Sequence, residues 1–334
     1  MLSWPHPHSD WAPWLAQVDL VYCQIVRAVS QYEGLLIICY DQAHRFHIQQ
    51  ILQQQAIDSK RLQFHIIKTN DSWARDHGPV TVLHEGLPRL LDFGFNGWGG
   101  KYPAALDDRI SQSLYSQHAF AKIDIEAWPF ILEGGSIDTD GQGTLLTTAQ
   151  CLLTPTRNPH YNKTAVENLL QASLGIDRVL WLTKGELMGD DTDSHIDMLA
   201  RFCDTRTIAY TSCDDESDPH YLPLKAMQSE LLGFKTSTGD PYQLVALPIP
   251  SPIYNQQGQR LPASYANFLI INQAVLLPVY GDKKDELASD RLGSCFPGRK
   301  IIRIDCRPLI EQFGSLHCIS MQLPAGTLKP QGII

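Results

Sequence analysis

Residues 189 to 197 read Gly-Asp-Asp-Thr-Asp-Ser-His-Ile-Asp, four aspartates and a histidine in nine positions. His195 and Asp197 are two residues apart. If the segment enters a strand, alternation points both side chains to one face. A base and a carboxylate aimed together suit a cationic substrate that must gain or lose protons. On its own the stretch fits an acidic solvated loop equally well, so the rest of the chain must decide. Cys318, in Phe-Gly-Ser-Leu-His-Cys-Ile-Ser (313–320), is a candidate nucleophile. A free thiol ionises near pH 8.5, at about that value, so it needs a cationic neighbour; His195, another charge or a bound cation could serve. Asp76 and Asp197 are two acids able to grip a planar guanidinium or amidinium through charge-assisted bidentate bonds. Glu133 precedes two glycines that allow a tight turn, and suits the task of orienting the histidine ring. Metal is not expected: no H-x-x-x-H pair occurs, and on a strand His317 would face away from Cys318.

These residues need a scaffold, and the chain supplies one by repetition. Its 334 residues are 43% hydrophobic and 19% charged, enough for a large core. The formal net charge of −9 disfavours nucleic acid or an acidic membrane surface as partner and favours a small cation. Eight cysteines lie scattered without a C-x-x-C pair, several in apolar runs, a pattern of buried thiols in a reducing compartment. The first residues lack the basic and apolar regions of a signal peptide. No apolar run approaches the ~20 residues of a membrane span. A cytoplasmic protein is expected.

An amphipathic helix is expected over 10–32. From Gly34 onward, the pattern strand, helix, strand recurs: 34–40, 42–57 and 62–68; 90–95, 104–119 and 121–128; 144–148, 162–174 and 178–183; 207–212, 220–232 and 242–248; 274–280, 284–292 and 300–305. One further strand falls between passes, at 80–83, 135–138, 195–202, 266–271 and 317–323. The result is five ββαβ units starting about every 55–70 residues, a period that points to a repeat or propeller, with an open α/β sheet as the alternative. The unusual polar residues recur at one phase of the unit: Trp73 to Pro79, Glu133 to Gly135, His195 to Asp197, and Leu316 to Cys318. Taken alone Cys318 reads as a small buried hydrophobe; its position at the phase of His195 favours chemistry.

The motifs Asn70-Asp-Ser-Trp-Ala-Arg-Asp-His-Gly-Pro79, Leu132-Glu-Gly-Gly-Ser-Ile-Asp138, Gly143 to Thr148, Ser194-His-Ile-Asp197, Ala263 to Ile270 and Leu316-His-Cys-Ile319 resemble, in order, those of the agmatine deiminase family. That family sits in the guanidino-modifying (pentein) superfamily. The opening Trp4-Pro5-His6 and Asp10-Trp11 are similar too, so the likeness covers nearly the whole chain. It implies an α/β fold, a five-bladed pseudo-symmetric propeller built from ββαβ units, as one deiminase domain over 1–334. It implies Cys318 as nucleophile, His195 as general acid/base and Glu133 as its partner. Asp76 and Asp197 become the guanidinium clamp. Trp73 is a further substrate-binding candidate, and Asp190 and Asp193 are candidates on charge, because an acidic cluster just before His195 would make the far end of the pocket negative. No cofactor and no metal are implied. The partners expected are a small cationic guanidine and, as an oligomer, a homodimer. The reaction implied is deimination of agmatine, with free or peptidyl arginine as the alternative substrate and a non-catalytic guanidine-binding pentein as the alternative class. No arginine in the motifs stands ready for an α-carboxylate except Arg75 and Arg201, whose directions the sequence leaves open.

Overall fold

The computed structural model describes residues 1–329; the last five residues of the expected 1–334 domain lie outside the described residues. The chain forms two compact units, one from residues 1–134 with the chain from Cys318 onward, the other from Gly135–His317. The first holds two three-stranded sheets. One contains β1 (Leu2–Ser3), β2 (Leu35–Cys39) and β3 (Leu62–Ile66); the other contains β4 (Val80–His84), β5 (Leu87–Gly94) and β6 (Ile125–Ile131). The second unit holds three: β7 (Ile137–Thr139), β8 (Thr144–Thr148) and β9 (Arg178–Leu182); β10 (Ala200–Phe202), β11 (Thr207–Ser212) and β12 (Gln243–Pro248); β13 (Leu269–Ile271), β14 (Ala274–Val279) and β15 (Lys300–Asp305).

In every sheet the middle strand pairs parallel to the third, a pairing that requires a crossover. The crossovers contain Gln42–Gln54, Ile110–Ser116, Lys163–Leu174, Tyr221–Gly233 and Asp285–Cys295. Four of the five middle strands are buried along all or nearly all of their length, whereas β5 is fully buried only at Leu90 and Leu91. Leu35–Cys39, Leu-Leu-Ile-Ile-Cys, is buried at all five positions. In the first unit Leu36 and Ile38 pack with Ala74, Leu90, Ile110, Leu114 and Met321; burying each leucine, isoleucine or methionine side chain stabilises the fold by about 1.5–3 kcal/mol. Among the described residues no helix is long and apolar enough to cross a membrane.

Four differences from the sequence expectation have local causes. The 10–32 helix begins as a 3-10 turn at Ala12–Trp14, where Pro13 sits, and becomes α-helical only over Leu15–Ser30. The helix expected over 104–119 shortens to Ile110–Ser116, and the strand expected from 121 starts at Ile125, because Phe120 and Ala121 pair instead with Leu328 and Thr327. No strand runs from 317 to 323; Ser320 makes one antiparallel bridge to Leu2, whose own strand lies parallel to β2. Most important for the site, His195 and Asp197 are not on a strand. Asp193 and Ser194 take left-handed φ values of 67° and 65°, the chain turns, and Ile196–Met198 forms a 3-10 turn before β10 begins. His195 and Asp197 therefore do not share a strand face.

Candidate active site

In the first unit the main chain of Arg75 is the meeting point. The loop leading to it is pinned by Asp107, whose carboxylate accepts from the backbone N–H of Asn70 at 2.7 Å and of Asp71 at 3.1 Å. Asp71 in turn accepts from Ser72 N–H at 2.7 Å and from the Trp11 indole at 2.8 Å. Burial pushes the Asp71 carboxyl up to about 6 and that of Asp107 well above the usual range. Trp73 is buried with its ring 5.5 Å from that of Trp11. The helical turn Ala74–His77 follows, buried throughout.

Three candidates converge on this turn. Asp76 is the next residue after Arg75 and is only 5% exposed. Cys318, also buried, accepts at its carbonyl from Arg75 N–H at 3.0 Å. Glu133, with no exposed surface, precedes Gly134, where an added Cβ would come 2.2 Å from the Arg75 carbonyl oxygen. Only glycine tolerates that approach. The Arg75 guanidinium donates to Met321 Sδ at 3.5 Å and to Gln322 Oε1, gripping the segment after Cys318. Asp76 Oδ2 accepts from the indole Nε1–H of Trp98 at 3.0 Å. Beside it, burial drives His77 down to about 3, so this imidazole is neutral, with its edge towards Phe95.

In the second unit the acidic stretch is a folded loop. Asp218, held well below the usual carboxylate range, accepts both Arg260 bonds, at 2.9 and 2.8 Å. Although its own burial acts to raise it, the hydrogen bonds from Arg260 and His220 prevail. His220 Nδ1 pairs with the same carboxylate, and its Nε2 accepts Met188 N–H at 2.8 Å. Asp190 closes its own turn, accepting Thr192 Oγ1–H and Ser194 N–H, each at 2.6 Å. Asp193 forms an ion pair with Arg157, whose side chain is fully buried and also donates to Thr192 O at 2.9 Å. These contacts, with Thr148 Oγ1–H donating to Ser194 O at 2.8 Å, set the buried His195.

Asp197 has no exposed surface, and its Oδ2 lies 2.7 Å from His317 Nδ1. His317 N–H donates to Asn267 Oδ1 at 2.8 Å, and Asn267 Nδ2 donates back to Asp197 O at 3.4 Å. A thiol-bearing turn with one buried acid thus stands in the first unit, and a buried imidazole with a second acid in the second. Each acid has its own N–H donor, Trp98 or His317. Neither donor was singled out as functional from sequence. The available signals were the glycine-rich Gly97-Trp98-Gly99-Gly100 and the position of His317 beside Cys318.

Other metal-ligand types lie elsewhere in the first unit, where His6, His8, His44 and His47 line a cavity of about 370 Å³ with Tyr40. His6 Nδ1 accepts His8 N–H at 3.3 Å and His44 Nδ1 accepts Tyr40 N–H at 3.0 Å. Each neutral ring therefore carries its proton on Nε2 and has no lone pair left for a cation.

Residues 1–324 match the model of the Porphyromonas-type peptidyl-arginine deiminase family. A C. jejuni agmatine deiminase, solved as a cysteine-to-serine variant with substrate bound, is 42% identical, with 95% of this chain and 90% of that one covered at a TM-score of 0.88. An agmatine deiminase of Enterococcus faecalis is 28% identical over 97% and 92% of the two chains, TM-score 0.86. A Porphyromonas gingivalis structure, provisionally named an arginine deiminase, is 44% identical over 98% and 96%, TM-score 0.91. The fold is the α/β pentein class, as expected, with ββαβ order in four of the five sheets, and the class of protein is the guanidino-modifying hydrolase. The chain belongs to the Porphyromonas-type peptidyl-arginine deiminase family.

Proposed function

We propose that this protein hydrolyses agmatine to N-carbamoylputrescine and ammonia, with the two units acting as one deiminase domain. Asp76 and Asp197 bind the guanidinium. The Cys318 thiolate attacks the guanidinium carbon, and a C–S bond forms. His195, held by Glu133, gives a proton to the departing nitrogen, which leaves as ammonia, and a thiouronium remains on Cys318. His195 then takes a proton from water as the hydroxyl adds to the same carbon. The C–S bond breaks, the electron pair returns to sulfur, and the ureido product departs.

The observation that carries agmatine over arginine is the fate of the cations near the candidates. Arg75 is committed to Met321 and Gln322. Arg201 donates to Asp138 at 2.8 Å and to Phe268 O at 3.0 Å. Arg157 is committed to Asp193 and Thr192. Arg260, ahead of the motif that starts at Ala263, is committed to Asp218. These four guanidinium groups are engaged by the protein, whereas an α-carboxylate would call for one. A second reading, deimination of free or peptidyl arginine, is favoured by the family description and by the likeness to the P. gingivalis chain. Ammonia release from agmatine, arginine and a peptidyl-arginine ester separates the readings. Agmatine is expected to lead by at least about tenfold in kcat/KM, which corresponds to about 1.4 kcal/mol. A lead for either arginine substrate transfers the assignment to it, and inactivity on all of them removes the enzymatic reading.

A further inference from the structure

We propose that Trp98 is a positioning residue for Asp76, and that the loop carrying it is built to aim one indole N–H at that carboxylate. The proposal rests on the reading of Asp76 as a guanidinium-binding acid. Trp98 sits at φ 55°, ψ 48°. Bulky side chains avoid this left-handed region and hold it only where their surroundings leave no alternative, a condition that concentrates at functional sites.

The surroundings here are explicit. Gly97, at φ 68°, is the only residue type that fits, because a Cβ would stand 2.2 Å from the Tyr102 carbonyl oxygen. Gly99 and Gly100 are left-handed as well, at φ 85° and 84°. Asn96 closes the turn: its Oδ1 accepts Gly99 N–H at 2.8 Å and its carbonyl accepts Gly100 N–H at 2.9 Å. The indole is boxed by two rings at nearly right angles, Phe95 at 5.0 Å and 86° and Tyr102 at 5.6 Å and 87°. So confined, Nε1–H meets Asp76 Oδ2 at 3.0 Å.

A donor to one oxygen fixes the carboxylate plane and favours its ionised form. Because the donor is already in place, no reorganisation is needed when a cation arrives. Indole cannot accept a proton in this range, so the support does not vary with pH. A tryptophan needed only for bulk would not require three left-handed glycines beside it.

Trp98→Phe keeps the ring packing and removes the donor. Expected is a tenfold to hundredfold loss in kcat/KM for agmatine, carried mainly by KM, with the melting temperature little changed. Trp98→His, which restores an N–H, is expected to recover part of the loss. Trp98→Met, also apolar and without a donor, replaces the Phe variant if that one does not fold. In the inert Cys318→Ala background, calorimetry is expected to show Trp98→Phe weakening agmatine binding about tenfold beside Asp76 and less than twofold beside Asp76→Asn. An unchanged kcat/KM, or an equal loss in both backgrounds, overturns the assignment. A wild type inactive on every guanidine overturns the function reading and this inference with it; an active wild type matched by Trp98→Phe overturns this inference alone.

Discussion

Asp76 and Asp197 are both buried carboxylates that meet a side-chain N–H donor, yet the two units supply those donors by different means. In the first unit the donor is an indole on a strained glycine loop, 22 positions away in sequence. In the second it is an imidazole 120 positions away, anchored through its backbone to Asn267 inside an ordinary polar network. Backbone strain aims one donor; side-chain hydrogen bonds aim the other. The indole is indifferent to pH, whereas an imidazole can change charge. A buried acid can thus be oriented at the expense of backbone freedom or by recruiting a distant titratable group.

The largest effect is expected at Cys318, the proposed nucleophile. Cys318→Ala should lower ammonia release by at least about 10⁴-fold while far-UV dichroism and melting stay near wild type. Substantial residual turnover would place the nucleophile elsewhere and make the two-acid comparison irrelevant to catalysis.

His317→Ala leaves Asp197 Oδ2 buried without its main partner, a loss of about 1–3 kcal/mol in stability or more for an ionised group. It should lower both the denaturation midpoint and kcat/KM. His317→Asn, which retains an N–H, is expected to recover part of both. If His317→Ala proves as mild on stability as Trp98→Phe, the contrast between a network and a loop does not hold.

A smaller effect is expected in the acidic loop. Asp190 and Asp193 are tied to loop backbone and to Arg157. Asp190→Asn with Asp193→Asn should destabilise by about 1–3 kcal/mol, discounted because the Asp193 side chain is 29% exposed. It should also narrow the agmatine-to-arginine ratio a few-fold. A wild-type melting temperature with a narrowed ratio would mean the acids act on substrate rather than through the loop.

The smallest effect concerns pH and lies outside both acids. Burial lowers His6 and His44 from 6.5 to about 4. The unfolded chain takes up protons below pH 6.5, while the folded state refuses them until about 4. Stability is therefore complete above 6.5 and lost as pH falls from 6.5 towards 4. Each Nδ1 accepts a backbone N–H, so protonation sets donor against donor. Melting temperature against pH should fall over that window, and His44→Gln should flatten the slope; an unaltered slope would remove His44 as a cause.

Much of the fold was legible in the residues alone. Apolar runs such as Leu35–Cys39 and Ala274–Val279 can satisfy their chemistry only as covered middle strands, and the residues between them set the five crossovers. Residue type also marked Cys318, His195, Glu133, Asp76 and Asp197, since thiol, imidazole and carboxylate in recurring turns are uncommon in a packing role. Tertiary structure decided the rest. The left-handed residue Trp98 shows in composition only through its glycine neighbours, and those at Asp193 and Ser194 are not flanked by any such signal. The first sheet takes its edge from Leu2–Ser3, bridged to Ser320, a pairing across nearly the whole chain that local periodicity cannot encode. Which donor orients each acid, and whether Asp190 and Asp193 serve the loop, depends on partners brought together only by folding. Hydrogen bonds are short-ranged in space and carry no memory of sequence separation.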